Sequence, residues 1–214
     1  MSEVFFTSDS HYSHVNCCRG VSTWKSGHRD FDTLEQMNDS IVSNINNHVC
    51  ENDILYHLGD WSFGGIEQIK IFRERINCKN VHLILGNHDL HIARNAENTQ
   101  KLFSSVAFYR ELLLHKTKII LNHYAINEWN YKYHGSVHLY GHSHGNLKPS
   151  IKKEKVLELI EKGDLEHLKH LCINDSYNPK SMDVGVDTNN MKPYHIEDVL
   201  EKLSSRIEIS DWKH

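Results

Sequence analysis

The sequence predicts a single α/β domain over residues 1–214. Three observations carry that expectation. Five short apolar runs each stop at an Asp, Asn or His, amphipathic segments lie between several of them, and 214 residues with 39% hydrophobic content suffice for one sizeable core.

Val4–Thr7, β-branched and aromatic, reads as the first strand and stops at Ser8-Asp9. Residues 12 to 32 show little periodicity and hold Arg19, Trp24, Lys25, His28 and Arg29. Asp32 and Glu35 then have capping-box spacing, followed by Leu34, Met37, Ile41 and Ile45 at helical intervals. A second strand over 54–58 stops at Gly59-Asp60, and Ile66, Ile69 and Phe72 mark a second helix entered through Gly64-Gly65. The run 81–85 stops at Gly86-Asn87, and a third helix is expected from about His91 to Phe103. Phe108-Tyr109 and Ile119-Ile120, around the polar Lys116-Thr117-Lys118, read as an antiparallel hairpin. Its second arm stops at Asn122-His123, and Val137–Tyr140 stops at Gly141-His142. Residues of about 146–181 form a charged insert, expected as two short helices divided at Gly163-Asp164, with Leu159 on the first and Leu165, Leu168 and Leu171 on the second.

Ligands gather at the carboxyl ends of strands in α/β sheets because those edges converge on one crevice. The five clusters are Asp9-Ser10-His11, Gly59-Asp60, Gly86-Asn87-His88-Asp89, Asn122-His123 and Gly141-His142-Ser143-His144. They offer carboxylates, imidazoles and an amide, and no thiolate. Such a donor set is expected for two divalent cations held side by side. Imidazole favours Mn2+, the expected ion, with Fe2+, Ni2+, Co2+ and Zn2+ as alternatives, over Ca2+.

The order Asp-x-His, Gly-Asp, Gly-Asn-His-Asp, His, Gly-His-x-His resembles the calcineurin-like metallophosphoesterase superfamily. It spans roughly residues 3 to 145 and continues weakly at Gly185-Val186-Asp187. The resemblance implies a four-layer α/β/β/α sandwich of two mixed β-sheets flanked by helices. It also implies hydrolysis of a small phosphodiester or phosphomonoester by a metal-bound hydroxide. By the same match Asp60 bridges two metals. Asp9, His11 and His144 complete one ligand set, and Asn87, His123 and His142 the other. His142 and His144 reach different ions only if the backbone curls at Ser143. His88 is then no ligand but assists the leaving oxygen, as proton donor or cation, and Asp89 supports from outside or caps a helix. One departure narrows the substrate. Residues 59–65, Gly-Asp-Trp-Ser-Phe-Gly-Gly, lack the Asp and Arg of the protein phosphatases' Gly-Asp-x-x-Asp-Arg-Gly, so that activity is not expected. The Asp that orients the catalytic His there is replaced or missing. The alternative is a metal-binding protein-interaction module with little catalysis. Its relatives commonly lose the His of Gly-Asn-His, which is present here as His88.

Net charge is −4 with histidines neutral, so nothing marks a chain that grips long nucleic acid, and a small phosphorylated partner is expected. Tyr124, Trp129, Tyr131 and Tyr133 follow His123 closely, and Arg94 follows the Gly-Asn-His-Asp stretch. An aromatic that stacks on a base and an arginine on a second phosphate point to a nucleotide-like substrate, with Arg29, Arg94 and Trp129 as the candidate contacts. The two additions, 12–32 and 146–181, begin at the pocket rim and are the expected source of specificity. Five cysteines without a Cys-x-x-Cys argue against a disulfide framework. With no leader pattern and no apolar run near the ~18 residues of a membrane span, a cytoplasmic protein without a membrane partner is expected; a homo-oligomer is left open. Of the other histidines, His14 is a candidate pocket wall. His57, His82 and His138 are expected as core or sheet-face residues, and His28 as solvated.

Overall fold

The computed structural model describes residues 2–23, 28–147, 153–164, 166 and 180–205. Trp24, Lys25, Cys172 and the second helix expected in the insert lie outside the described residues. β1 (Val4–Thr7), β2 (Ile54–His57), β3 (Asn80–Ile84) and β4 (Ser105–Ala107) pair in parallel. β9 (Tyr194–His195) adds antiparallel to β1, giving the order β4-β3-β2-β1-β9. The second sheet runs β5-β6-β7-β8, from β5 (Tyr109–Leu114), β6 (Thr117–Asn122), β7 (Val137–Tyr140) and β8 (Ser181–Asp183). Only its β5–β6 pair is antiparallel, so both sheets are mixed, as expected. His115 and Lys116, at φ 47° and 63°, make the two-residue hairpin turn, whose left-handed backbone matches the strand twist.

Central parallel strands are buried on both faces, which is why they read as continuous apolar runs rather than alternating ones. Val4, Phe6, Tyr56 and Ile84 of the first sheet meet Ile119, Leu121, Val137 and Leu139 of the second. Phe5, Leu55, Val81 and Leu83 face the other way, under helices α1 (Leu34–His48) and α2 (Gly65–Arg75). A helix near the end of the chain, Ile196–Ser204, buries Ile196, Val199 and Leu203 against the inter-sheet core. In the insert, the helix Lys153–Glu161 matches the first of the two expected there.

Two helix expectations need correction. α1 is capped by Thr33, whose hydroxyl accepts the Gln36 N–H while the Gln36 side chain accepts the Thr33 N–H. Asp32 and Glu35 stand one residue too early for that reciprocal geometry. The expected helix over 91–103 is only Leu90–Ala93, followed by turns and a short 3-10 segment at Gln100–Leu102. A side chain takes the carbonyls that would continue it: Gln100 Nε2 donates to Ile92 O at 3.1 Å and to Ala93 O at 3.2 Å.

Candidate metal centre

The carboxyl ends of β1, β2, β3, β6, β7 and β8 meet at one edge of the sandwich, and backbone hydrogen bonds lace their loops together. Asp9 N–H donates to Gly59 O at 2.9 Å and His11 N–H to Asp60 O at 3.0 Å. Gly141 N–H donates to His123 O at 2.9 Å, and His142 N–H to both oxygens of Asp9 at 2.9 Å. Loop contact is close enough that a Cβ on Gly86 would collide with Asp60, and one on Gly141 with Ser8 and Asp9.

Five expected ligands stand in the left-handed region: Asp9 (φ 55°), His11 (46°), Asp60 (55°), His142 (67°) and His144 (48°). Non-glycine residues avoid that region, and such strain persists where surrounding structure over-determines it, often at functional sites. The curl expected at Ser143 is made instead by the residues on either side of it.

Asp60 Oδ2 lies 3.5 Å from Nε2 of His11 and 3.5 Å from Nε2 of His123. Donor atoms of Asp9, His11 and His144 lie within 4.8 Å of one another, and so do those of Asp60, His123 and His142. His123 Nδ1 is 2.7 Å from Leu58 O, which can only accept, so the neutral ring carries its proton there and turns a lone pair outward at Nε2. That lone pair faces Asn87 Oδ1 at 3.0 Å and the Asp60 carboxylate. His11 is buried, and its Nδ1 has no hydrogen-bond partner among the described residues. Acceptors facing acceptors, with a buried nitrogen unpartnered, are the arrangement a divalent cation satisfies, so the residues fit a metal. Burial and the charges of Arg29 and His144 hold His11 well below the usual imidazole range, in the neutral form a ligand requires. Burial pushes Asp9 up to about 6, against the pull of His144 and His123.

A match to the family model described as the calcineurin-like phosphoesterase superfamily domain covers residues 3–171. The chain belongs to that superfamily. An uncharacterized protein of Methanocaldococcus jannaschii, MJ1445, is 26% identical over 207 residues, covering 95% of this chain and 92% of its own. The gene 66 protein of Mycobacterium phage D29 is 25% identical over 170 residues, covering 69% and 81%. Among solved structures, AQ665 of Aquifex aeolicus, a protein of unknown function, shares the fold. Its TM-score is 0.61 at 20% identity, with 94% of this chain and 99% of that one covered. Calcineurin-like phosphoesterases are metal-dependent hydrolases of phosphoester bonds, and the clustered donors accord with that.

The structure brings Asp9, His11, Asp60, Asn87, His123, His142 and His144 to this one phosphoesterase edge. His88 stands beside them, exposed, with its ring 5.3 Å from that of His11 and 4.9 Å from Phe63. Its backbone N–H donates to Asp60 Oδ1 at 2.9 Å, and its ring makes no hydrogen bond to any described residue. Phe63 and His14, stacked at 3.6 Å, flank it, which makes His14 a wall of the site. Asp89 is no ligand: its carboxylate takes the N–H groups of Asp60, Trp61 and Gly86 at 2.8–3.0 Å.

Two expected substrate contacts are corrected. The Arg29 side chain is fully buried, with four of its N–H donors on Asp187, Asp9 O and Ser10 O, so it offers no surface to a substrate. Trp129 is buried against His138 with its Nε1 on Ser136 Oγ at 3.0 Å, and it packs the loop over the outer face of the second sheet. Arg94 is exposed at the end of Leu90–Ala93. Sequence reasoning missed three supports. Ser10 Oγ is 2.7 Å from Nε2 of the buried His57, which so props the first motif. His28 Nε2 lies 3.4 Å from Asp187 Oδ1. Asp187 Oδ2 lies 2.6 Å from His144 Nδ1, and the weak Gly185-Val186-Asp187 match was the only signal for it. Burial would raise the Asp187 carboxyl, but hydrogen bonds from His144, His28 and Arg29 hold it well below the carboxylate range.

Proposed function

We propose that this phosphoesterase is dinuclear, works with Mn2+, and hydrolyses a small, nucleotide-like phosphodiester or phosphomonoester. The observation that carries the reading is the place of Asp60 Oδ2, equidistant at 3.5 Å from His11 and His123, each in a separate donor group. A carboxylate placed there could be shared by two cations. Bound there, the two cations would draw charge from the phosphoryl oxygens and supply a hydroxide near neutral pH.

The chain's own residues do the rest. Asp60 accepts the His88 N–H through Oδ1, which keeps His88 beside the cations but outside their ligand set. From there the His88 imidazole hands a proton to the leaving oxygen. Tyr124, exposed and edge-on to His123 and His142 at 5.0 and 4.8 Å, offers a face for a base, with Arg94 the remaining exposed cation of the three expected contacts. Net charge favours a small substrate over long nucleic acid. A cytoplasmic setting belongs to the same proposal and rests on the odd cysteine count without a Cys-x-x-Cys. Among the described residues, no helix is long and apolar enough to cross a membrane.

The deciding experiment is turnover of bis-p-nitrophenyl phosphate by the Mn2+-loaded protein, followed by a panel of cyclic, di- and mononucleotides. Metal uptake without turnover of any ester would favour the metal-binding interaction module instead.

A further inference from the structure

We infer that Asp187 is the positioning residue of the metal centre, held in place by Arg29 so that it fixes the His144 ring with Nε2 turned to the cation. The inference rests on the metal reading above and assigns a role to two residues outside the seven expected ligands.

Asp187 has a fixed place before any ion binds. It lies in the turn Val186–Thr188 that follows β8, where Val186 N–H donates to Ser8 O at 3.0 Å and Thr188 Oγ1 to Gly185 O at 2.7 Å. From there Oδ2 meets His144 Nδ1 at 2.6 Å. A carboxylate can only accept, so Nδ1 carries a ring proton, and in the neutral ring that a cation requires Nε2 carries the lone pair. A neutral imidazole has one proton to place, and only this tautomer lets Nε2 serve as a ligand.

Arg29 explains why the carboxylate stays there. Its Nε and one terminal nitrogen take the two Asp187 oxygens, each at 2.9 Å. The terminal nitrogens also donate to Asp9 O at 2.6 Å and Ser10 O at 2.7 Å. One buried guanidinium therefore sets both the loop that carries Asp9 and His11 and the carboxylate that orients His144. A lysine cannot reproduce this, because four acceptors in one plane need the guanidinium fork. The bland reading is that Asp187 merely neutralises Arg29. The Arg29 pair would be complete without His144, yet the shortest contact of Asp187 is to His144, which that reading leaves unexplained.

The test is a double-mutant cycle on Mn2+ affinity, read by calorimetric titration of the metal-free protein, with folding of each variant checked by circular dichroism. Wild type should take up two Mn2+. Asp187→Asn should weaken one of them at least tenfold and spare the other. In a His144→Ala background, the same change should have no further effect, because the ring it positions is gone. Should Asp187→Asn fail to fold, Asp187→Glu keeps the charge on Arg29 while displacing the carboxylate, and the same weakening is expected. In the metal-free wild type, the His144 Nδ1 proton should resonate far downfield, a signal absent from the Asp187 variants. Equal weakening with and without His144, or unchanged affinity in Asp187→Asn or Asp187→Glu, overturns the inference while leaving the metal reading intact. A wild type that takes up no Mn2+ overturns the metal reading itself, and this inference with it.

Discussion

The carboxylate of Asp89 accepts the backbone N–H of Asp60 at 2.8 Å, and through its other contacts it ties the second motif to the third. Asp89→Ala leaves two buried N–H groups and the half-buried one of Gly86 without that partner, each buried one worth about 1–3 kcal/mol. The expected loss is about 3 kcal/mol or more in urea unfolding of the metal-free protein. Asp89→Asn keeps an acceptor oxygen and should lose less. A loss under about 1 kcal/mol for Asp89→Ala would show that this carboxylate does not organise the loops.

Removal of metal tests the shared position of Asp60. EDTA should abolish ester hydrolysis, and Mn2+ should restore it along with a higher melting temperature, since a ligand that binds only the folded state stabilises it. Asp60→Asn should weaken the uptake of both ions, whereas His142→Ala should weaken one. Full activity in a rigorously metal-free preparation would contradict the proposed chemistry.

His88 should separate chemistry from binding. His88→Ala is expected to take up Mn2+ as wild type does, because the ring is not among the clustered donors. Its kcat should fall about a hundredfold or more, most for esters with poor leaving groups, which need a proton donor. Loss of a metal in His88→Ala would move this residue into the ligand set.

Acid should destabilise the fold partly through buried neutral histidines. Burial lowers His57 from 6.5 to about 3 and His138 to about 4, the latter opposed by carbonyls of Ile120 and Tyr124. A histidine whose folded pKa is depressed binds more protons when unfolded, so its contribution falls as pH drops below 6.5. For His138, going from pH 6.5 to 5 costs up to about 2 kcal/mol, at 1.4 kcal/mol per unit. Asp9, pushed up to about 6, has the opposite sign, so the informative comparison is one of slopes. His138→Gln should flatten the dependence of urea midpoint on pH between 7 and 5; an unchanged slope would show that His138 titrates normally.

Much of the fold was legible because its signals are local. A parallel strand buried on both faces must be apolar along its length, and the run must break where the backbone turns toward a ligand, so residues 4–7 followed by Asp9 and 137–140 followed by His142 stand out in one dimension. Where side chains compete with the backbone, legibility failed. Thr33 rather than Asp32 caps α1, and Gln100 takes the carbonyls that would continue the helix expected from His91. Arg29 and Trp129 failed for another reason: a cation or an indole near a motif reads alike whether it points to solvent or inward.

By itself the sequence determined the family, the seven clustered donors and the strands that end in them, because each motif is a few consecutive residues with its own turn. Tertiary structure alone decided that His11 and His123 face one oxygen of Asp60, that five of the expected ligands take left-handed backbone, and that Asp187 reaches Arg29 across 158 positions and meets His144. Those are pairings between loops brought together by packing the two sheets. No local pattern encodes such a pairing, since its energy exists only once both partners are buried in one place.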